Sequence, residues 1–318
     1  MSCIRNIAIL LSNRASNNEQ IHQQVKTIKD YLFRGRVQVY RPFDIDEMTN
    51  ALDDILNTKY DLVIVFGGDG TSHLVVQKLA HSSIKFIPVP VGTANDFARE
   101  LGVNSTNLKK MLEAIRLGSF KKVDLIKVNE TYMSTNGGIG LAVNVAQAVN
   151  QLREKYKVIK SLVGVMKSRV YSMGIGAMLL TNKLPKLKIK ISNEFFEKEI
   201  ETSMLYISNQ AVLAGEFKIA PNTKNNDGQF NLSIFNHPNK LQLIRSVWQV
   251  KTGINLMEDA LFEDYELKKC VIEALEGEKL SFFGDGEVFE KSEILNIEIQ
   301  KSALEVIDMS VIKELYNG

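Results

Sequence analysis

The stretch DLVIVFGGDGT, residues 61–71, constrains the fold more than any other part of the chain. LVIVF is wholly apolar and reads as a strand buried on both faces, the habit of parallel sheets. Glycine, glycine, aspartate and glycine then stop it, at the carboxyl end where open α/β sheets place their ligands. Gly67, Gly68 and Gly70 let a phosphate approach backbone N–H groups at the start of the next helix. An aspartate beside phosphates is repulsive unless a cation lies between, and Mg²⁺ is the cation that bridges carboxylates and nucleotide oxygens. Asp69 therefore points to magnesium-nucleotide chemistry, although a tight strand-to-helix turn accounts for the pentapeptide alone equally well.

Strand and helix signals alternate around this stretch. IRNIAILL, RVQVY and KFIPVPVG read as strands, and Ser16 with Glu19 has the capping-box spacing of a helix running to about Phe33. Asp44 is placed to cap DEMTNALDDILNT, and SHLVVQKLA, DFARELG and LKKMLEAIRLG read as helices. Such alternation implies a parallel sheet covered on both faces. After about Lys121 the segments become β-branched and alternating, as in KVDLIKVNETYMS, LKIKISNEFFEKEIETSMLYIS, FNLSIF and EILNIEIQ, which predicts mostly antiparallel sheet. Two helical patterns interrupt it, Leu141 to Lys160 and KLQLIRSVWQVKTG. A chain of 318 residues exceeds one comfortable core, so two domains are expected: residues 1–124, with about 300–318 packing back on them, and residues 125–299.

Composition excludes several functions. Lys and Arg number 39 against 37 Asp and Glu, and a net charge of +2 gives no strong pull on nucleic acid. Cys3 and Cys270 alone exclude a disulfide framework and a cysteine-built zinc site. MSCIRNIAILLSNRAS reads as a first strand rather than a signal peptide, and a cytoplasmic location is expected. His22, His73, His81 and His237 show no metal-ligand spacing, so each is expected to be surface or helix-face structure.

A second phosphate-type turn follows the next strand, in VGTANDFARELG. Gly92 and Thr93 supply a backbone approach, Asp96 a second carboxylate, and Asn95 and Asp96 also suit a helix cap. The pair GGDGT and GTANDFAR, with FKKVDLIKVNETYMSTNGGIGLAVNV, IAPNTKNNDGQFNLSIF and FFGDGEVF in that order, resembles the diacylglycerol kinase catalytic-domain family, which includes bacterial lipid kinases and sphingosine and ceramide kinases.

The resemblance implies an α/β ATP-binding domain joined to a C-terminal antiparallel β-sandwich that takes the lipid. It implies that Gly67, Gly68, Asp69, Gly70 and Thr71, with Gly92, Thr93 and Asn95, hold ATP, and that Asp69, Asp96 and Asp124 form a water and Mg²⁺ network. Asp285 becomes the general base, with Glu287 as its support or substitute, though Asp-Gly between alternating apolar flanks is also a strong hairpin signal. Asp227 with the backbones of Lys224 and Gln229 becomes a second, structural Mg²⁺ site, or a plain turn before FNLSIF. LLSNRASNNE lacks the family's proline and glycine, which leaves Asn13 a weak nucleotide contact.

The expected partners are a lipid at a membrane surface, met by peripheral contact at the inner face, and a second copy of the chain. REKYKVIKSLVGVMKSRVYSMGIGAMLL interleaves cations with apolar residues as an interfacial surface does, and a solvated helix face followed by core explains it as well. NAD kinase, which shares GGDGT, and a non-catalytic lipid or nucleotide sensor of the same fold stay open as alternatives.

Overall fold

The computed structural model describes residues 4–32, 35–91, 95–147, 184–212, 220–237, 239, 241–243, 245–246, 249 and 261–312. Strands β1 (Asn6–Leu11), β2 (Arg36–Tyr40), β3 (Leu62–Gly67) and β4 (Lys85–Pro90) pair in parallel in the order β2-β1-β3-β4. Every residue of β3 is buried, as its apolar run requires. Helices α1 (Asn13–Ser16), α2 (Glu19–Tyr31), α3 (Ile45–Thr58), α4 (Asp69–Leu79), α5 (Asp96–Glu100) and α6 (Leu108–Leu117) connect and follow these strands.

Asp44 caps α3 as its position predicts, accepting the Glu47 N–H at 2.9 Å. The expected cap of α2 is displaced by two residues. Asn18 accepts the Gln20 N–H at 2.9 Å, while Ser16 ends α1. Asparagine next to the first helical residue satisfies the orphan donors directly, which leaves the Ser16 capping box without a role.

The antiparallel half comprises β5 (Phe120–Val128), β6 (Thr131–Met133), β7 (Asn136–Gly140), β8 (Leu187–Ser192), β9 (Glu197–Thr202), β10 (Met204–Ser208), β11 (Phe230–Phe235), β12 (Phe262–Leu267), β13 (Lys269–Ala274), β14 (Phe282–Gly284), β15 (Glu287–Val288) and β16 (Ile294–Ile307). Strands β12-β11-β10-β7-β14-β15 form one sheet. The other strands extend the parallel sheet as β4-β16-β13-β8-β9, with β5 paired to both β16 and β6. The join is made by β16, which pairs in parallel with β4 at Val306 and Phe86 and antiparallel with β5 along its length.

Two principal apolar cores result. Ile7, Ile9, Leu52, Ile64, Val76, Phe86 and Leu112 fill the α/β core, and Ala303, Leu304, Val306, Ile307, Met309 and Ile312 from the far end of the sequence pack into it. Ile191, Cys270, Ile272 and Ile297 of one sheet meet Ile139, Leu205, Ile207, Leu232 and Phe282 of the other, which makes the C-terminal half a β-sandwich. Strand β5 crosses between them: Val123 and Leu125 lie in the first core, Ile126 and Val128 in the second. Among the described residues no helix is long and apolar enough to cross a membrane.

Candidate active site between α4 and the β14–β15 hairpin

The glycine-aspartate turn ends β3 and opens α4, with Gly68 as the cap residue and Asp69 at the first helical position. The first N–H groups of a helix have no intrahelical acceptor, so this end is a natural seat for an anion. Asp69 reaches sideways rather than outward. Its Oδ2 accepts the Asn95 N–H at 3.0 Å and its Oδ1 the Asp96 N–H at 2.9 Å, which fastens the turn after β3 to the turn after β4. Asn95 stands in the left-handed region, φ 51°, and Asp96 opens α5 with the Arg99 guanidinium 3.8 Å from its Oδ1. Gly92 and Thr93 lie outside the described residues.

One helical turn beyond Asp69, α4 presents His73, and there the two halves of the chain meet. Asp285 sits at the tip of the β14–β15 hairpin with φ 54°, followed by Gly286 with φ 92°. Positive φ at both central residues is the signature of the tight hairpin turn that Asp-Gly favours. The same turn sends the Asp285 side chain inward, to 4% exposure. Its Oδ1 accepts the Thr135 N–H at 2.8 Å and the Thr135 hydroxyl at 2.7 Å. Its Oδ2 accepts the Ser134 N–H at 2.9 Å and the Ser134 hydroxyl at 3.2 Å, and lies 3.3 Å from His73 Nδ1. Burial pushes the Asp285 carboxyl up, but the His73 ring and the Ser134 and Thr135 donors outweigh it and hold the group below the ordinary aspartate range.

Glu287, exposed on β15, also reaches the α4 turn: a Cβ added at Gly70 would stand 2.9 Å from its Oε1. The hairpin and the glycine turn thus approach each other as closely as a missing side chain allows. Tyr206 of β10 is 3% exposed, and its hydroxyl is pushed well above the ordinary tyrosine range by burial and then by the charge of Asp96. Tyr206 stands opposite Gly138 and Ser208 opposite Asn136. Among the described residues, the Tyr206 hydroxyl, Ser208 Oγ and Asn136 Oδ1 are buried polar atoms without hydrogen-bond partners. Groups of this kind are rare in proteins unless a ligand or water completes them.

Asp124 binds backbone groups of two distant segments. It is 3% exposed, its Oδ2 accepts the Gly228 N–H and its Oδ1 the Ser302 N–H, both at 2.7 Å, and its own N–H donates to Asn225 O at 2.6 Å. It pins the Asp227-Gly228 turn and the bulge of β16, where the register with β5 shifts between Gln300 and Leu304. Asp227 is exposed, and its Oδ1 accepts the Gln229 N–H at 3.1 Å. The Lys301 stem lies over this turn, with Nζ 2.6 Å from where a Gly228 Cβ would be. Lys224, Asp227 and Gln229 share this turn before β11, with the Lys301 stem packed against it. Asn13, exposed on α1, donates to Phe43 O at 3.0 Å and braces the loop before α3.

A nucleotide-borne Mg²⁺ takes one or two carboxylates and completes its shell with phosphate oxygens and waters. Asp69 suits that use, since each of its oxygens accepts a single backbone N–H, and Asp96 stands beside it. Among the described residues no three His, Cys, Asp or Glu side chains gather to cage a metal by themselves.

Of the sequence expectation of surface or helix-face structure, His73 keeps the helix face and loses the surface, being 8% exposed and facing Asp285. Its signal was the four-residue spacing from Asp69, which stacks two side chains on one helix face. Ser134, Thr135 and Tyr206 carried no such signal.

Residues 7–128 match the family described as diacylglycerol kinase catalytic domain, and residues 138–308 match the YegS C-terminal NAD kinase beta sandwich-like domain. The chain belongs to the diacylglycerol kinase family. It is 28% identical over 201 residues to a diacylglycerol kinase of Bacillus subtilis (strain 168), a match that spans 63% of each chain. It is 27% identical over 244 residues to a diacylglycerol kinase of Staphylococcus aureus (strain MRSA252), covering 76% of this chain and 74% of that one. A crystal structure of a diacylglycerol kinase from Bacillus anthracis str. Sterne superposes with a TM-score of 0.73 at 21% identity, over 98% of this chain and 100% of that chain, a likeness of fold.

Proposed function

We propose that the chain is an ATP- and Mg²⁺-dependent lipid kinase that transfers the γ-phosphoryl group to a lipid hydroxyl, with diacylglycerol as the first candidate acceptor and phosphatidic acid as its product. The observation that carries this reading is the closure of the Asp285 hairpin onto the helix opened by GGDGT, across 212 residues of sequence. An anion seat and a buried carboxylate side by side are what phosphoryl transfer to an alcohol needs: one group positions the phosphates, the other draws the hydroxyl proton.

In this reading Gly68, Asp69, Gly70 and Thr71 offer the start of α4 to the nucleotide phosphates. Asp69 and Asp96 hold the Mg²⁺, which when bound offsets charge on the phosphate oxygens. Asp285 Oδ2 keeps the Ser134 N–H at 2.9 Å, and its contacts to the Ser134 hydroxyl and His73 are longer than those of Oδ1 to Thr135, so these are the contacts an acceptor hydroxyl would displace. Asn136, Tyr206 and Ser208 supply polar atoms for the head of the lipid or the nucleotide. Contact with a membrane surface belongs to the same proposal, and its candidate segment, residues 153–180, lies outside the described residues.

The test is to incubate purified protein with radiolabelled ATP, Mg²⁺ and mixed micelles carrying diacylglycerol, sphingosine, ceramide or monoacylglycerol, with NAD in a parallel reaction. Label in the organic phase is the expected result. Label on NAD, or nucleotide binding without transfer to any acceptor, would overturn the reading.

A further inference from the structure

A carboxylate offers about four lone-pair positions. Those of Asp285 are approached by five groups: the Ser134 and Thr135 N–H, the two hydroxyls of the same residues, and the His73 ring. Thr135 holds Oδ1 at 2.7 and 2.8 Å. Oδ2 has the two longest of these side-chain contacts, the Ser134 hydroxyl at 3.2 Å and His73 Nδ1 at 3.3 Å. Of the five, only the imidazole can change its charge in the neutral range.

His73 is itself fixed from three sides. Phe289 stacks beside it with ring centroids 5.7 Å apart. Gln77, one turn further along α4, lies 3.4 Å from its ring and is locked to β6 by bonds with the Tyr132 N–H at 2.8 Å and the Tyr132 carbonyl at 2.7 Å. Asp285 closes the third side. The same helix therefore carries the anion seat at its first turn, the imidazole at its second and an anchor to the sandwich at its third.

We propose that His73 is the positioning residue for Asp285: its ring N–H fixes Oδ2, and its charge state governs how strongly that oxygen draws the acceptor's proton. The inference rests on the phosphoryl-transfer reading. With His73 neutral, its N–H adds one more donor to Oδ2 and takes only part of that oxygen's basicity. With His73 protonated, the pair becomes an ion pair in a site where little water screens it, and the carboxylate's pull on an alcohol proton weakens. The other titratable groups on the elements packed against the ring are Asp69 on its own helix, Glu287 on the hairpin and Tyr132 on β6. Glu287 is exposed, and Asp69 is committed to the Asn95 and Asp96 N–H groups, which leaves Asp285 as the acid in direct contact.

The experiment compares the full chain with His73→Gln, which can still donate to Oδ2 but does not titrate, and with His73→Ala. His73→Asn serves as a second amide variant should the glutamine fit poorly, and circular dichroism checks each fold. At pH 8 the expected kcat for lipid phosphorylation falls ~10²-fold in His73→Ala and within ~10-fold in His73→Gln, with the KM for ATP changed less than ~3-fold. Wild-type kcat/KM is expected to carry an acid limb that His73→Gln lacks. The Ser134 and Thr135 amide NMR signals, which report on the carboxylate, move with that limb in the wild type and stay still in His73→Gln. An acid limb, or amide shifts, unchanged by His73→Gln would overturn the proposal. A wild type inactive on every lipid but with the amide titration intact would overturn the lipid-kinase reading and leave the coupling between His73 and Asp285 standing.

Discussion

Two Asp-Gly pairs sit in the C-terminal half, and the fold uses them in opposite senses. At Asp285-Gly286 both residues have positive φ and the aspartate is the buried member, gathering Ser134, Thr135 and His73 around it. At Asp227-Gly228 only the glycine has positive φ, the aspartate faces solvent and braces its own turn, and the glycine N–H is what reaches inward, to Asp124. A dipeptide that signals a turn therefore says nothing about which side chain the turn presents. That depends on which residue takes the left-handed conformation and on what waits opposite it.

The largest effect expected from this contrast is catalytic. Asp285→Asn should lower lipid phosphorylation by ~10³-fold in the micelle assay, while the matching Asp227→Asn should leave it within ~2-fold; equal losses at both turns would erase the distinction. Next comes stability. Asp124→Ala leaves the buried Gly228 N–H without an acceptor, at ~1–3 kcal/mol, and frees the N–H of exposed Ser302, so it should lower the denaturation midpoint accordingly in a urea titration.

A smaller effect depends on pH. The folded Asp285 carboxyl lies below its ordinary value, because the His73, Ser134 and Thr135 donors outweigh burial. Its stabilisation is therefore complete above the unfolded value of ~3.9 and is lost as pH falls through the lower folded value. The Tm gap between wild type and Asp285→Asn should be widest near neutrality and narrow below about pH 4; a gap constant down to about pH 3 would contradict the depressed carboxyl. The smallest effect belongs to Asp227→Ala, which removes one exposed side-chain contact and should change stability by no more than ~0.5 kcal/mol in the same titration.

Much of the α/β half was legible because its signals are local. LVIVF announced a buried strand, Asp44 a helix start, and GGDGT a turn built for an anion. The second half was legible as antiparallel strands but not in its pairing. The meeting of Val306 with Phe86 is fixed by packing between distant segments, and neither residue's neighbours hint at it. The site followed the same rule. Asp69, Asp96 and Asp285 stood out through their glycines and their motif order, whereas His73 was one histidine without a partner in sequence and acquired its meaning from the hairpin that folds onto it. Asp124 was picked out as an acid, but its role depends on the Gly228 and Ser302 N–H groups, which no residue pattern advertises.

Strand β16 closes the edge of β4 with residues from the opposite end of the chain. A fragment ending near residue 128 would retain all four parallel strands and helices α1 to α6, yet expose an open ladder of backbone donors and acceptors where Val306 belongs, an invitation to self-association. During synthesis the glycine-turn half must wait for residues 294–307 before its sheet is finished. The polypeptide is two units by architecture and one by assembly.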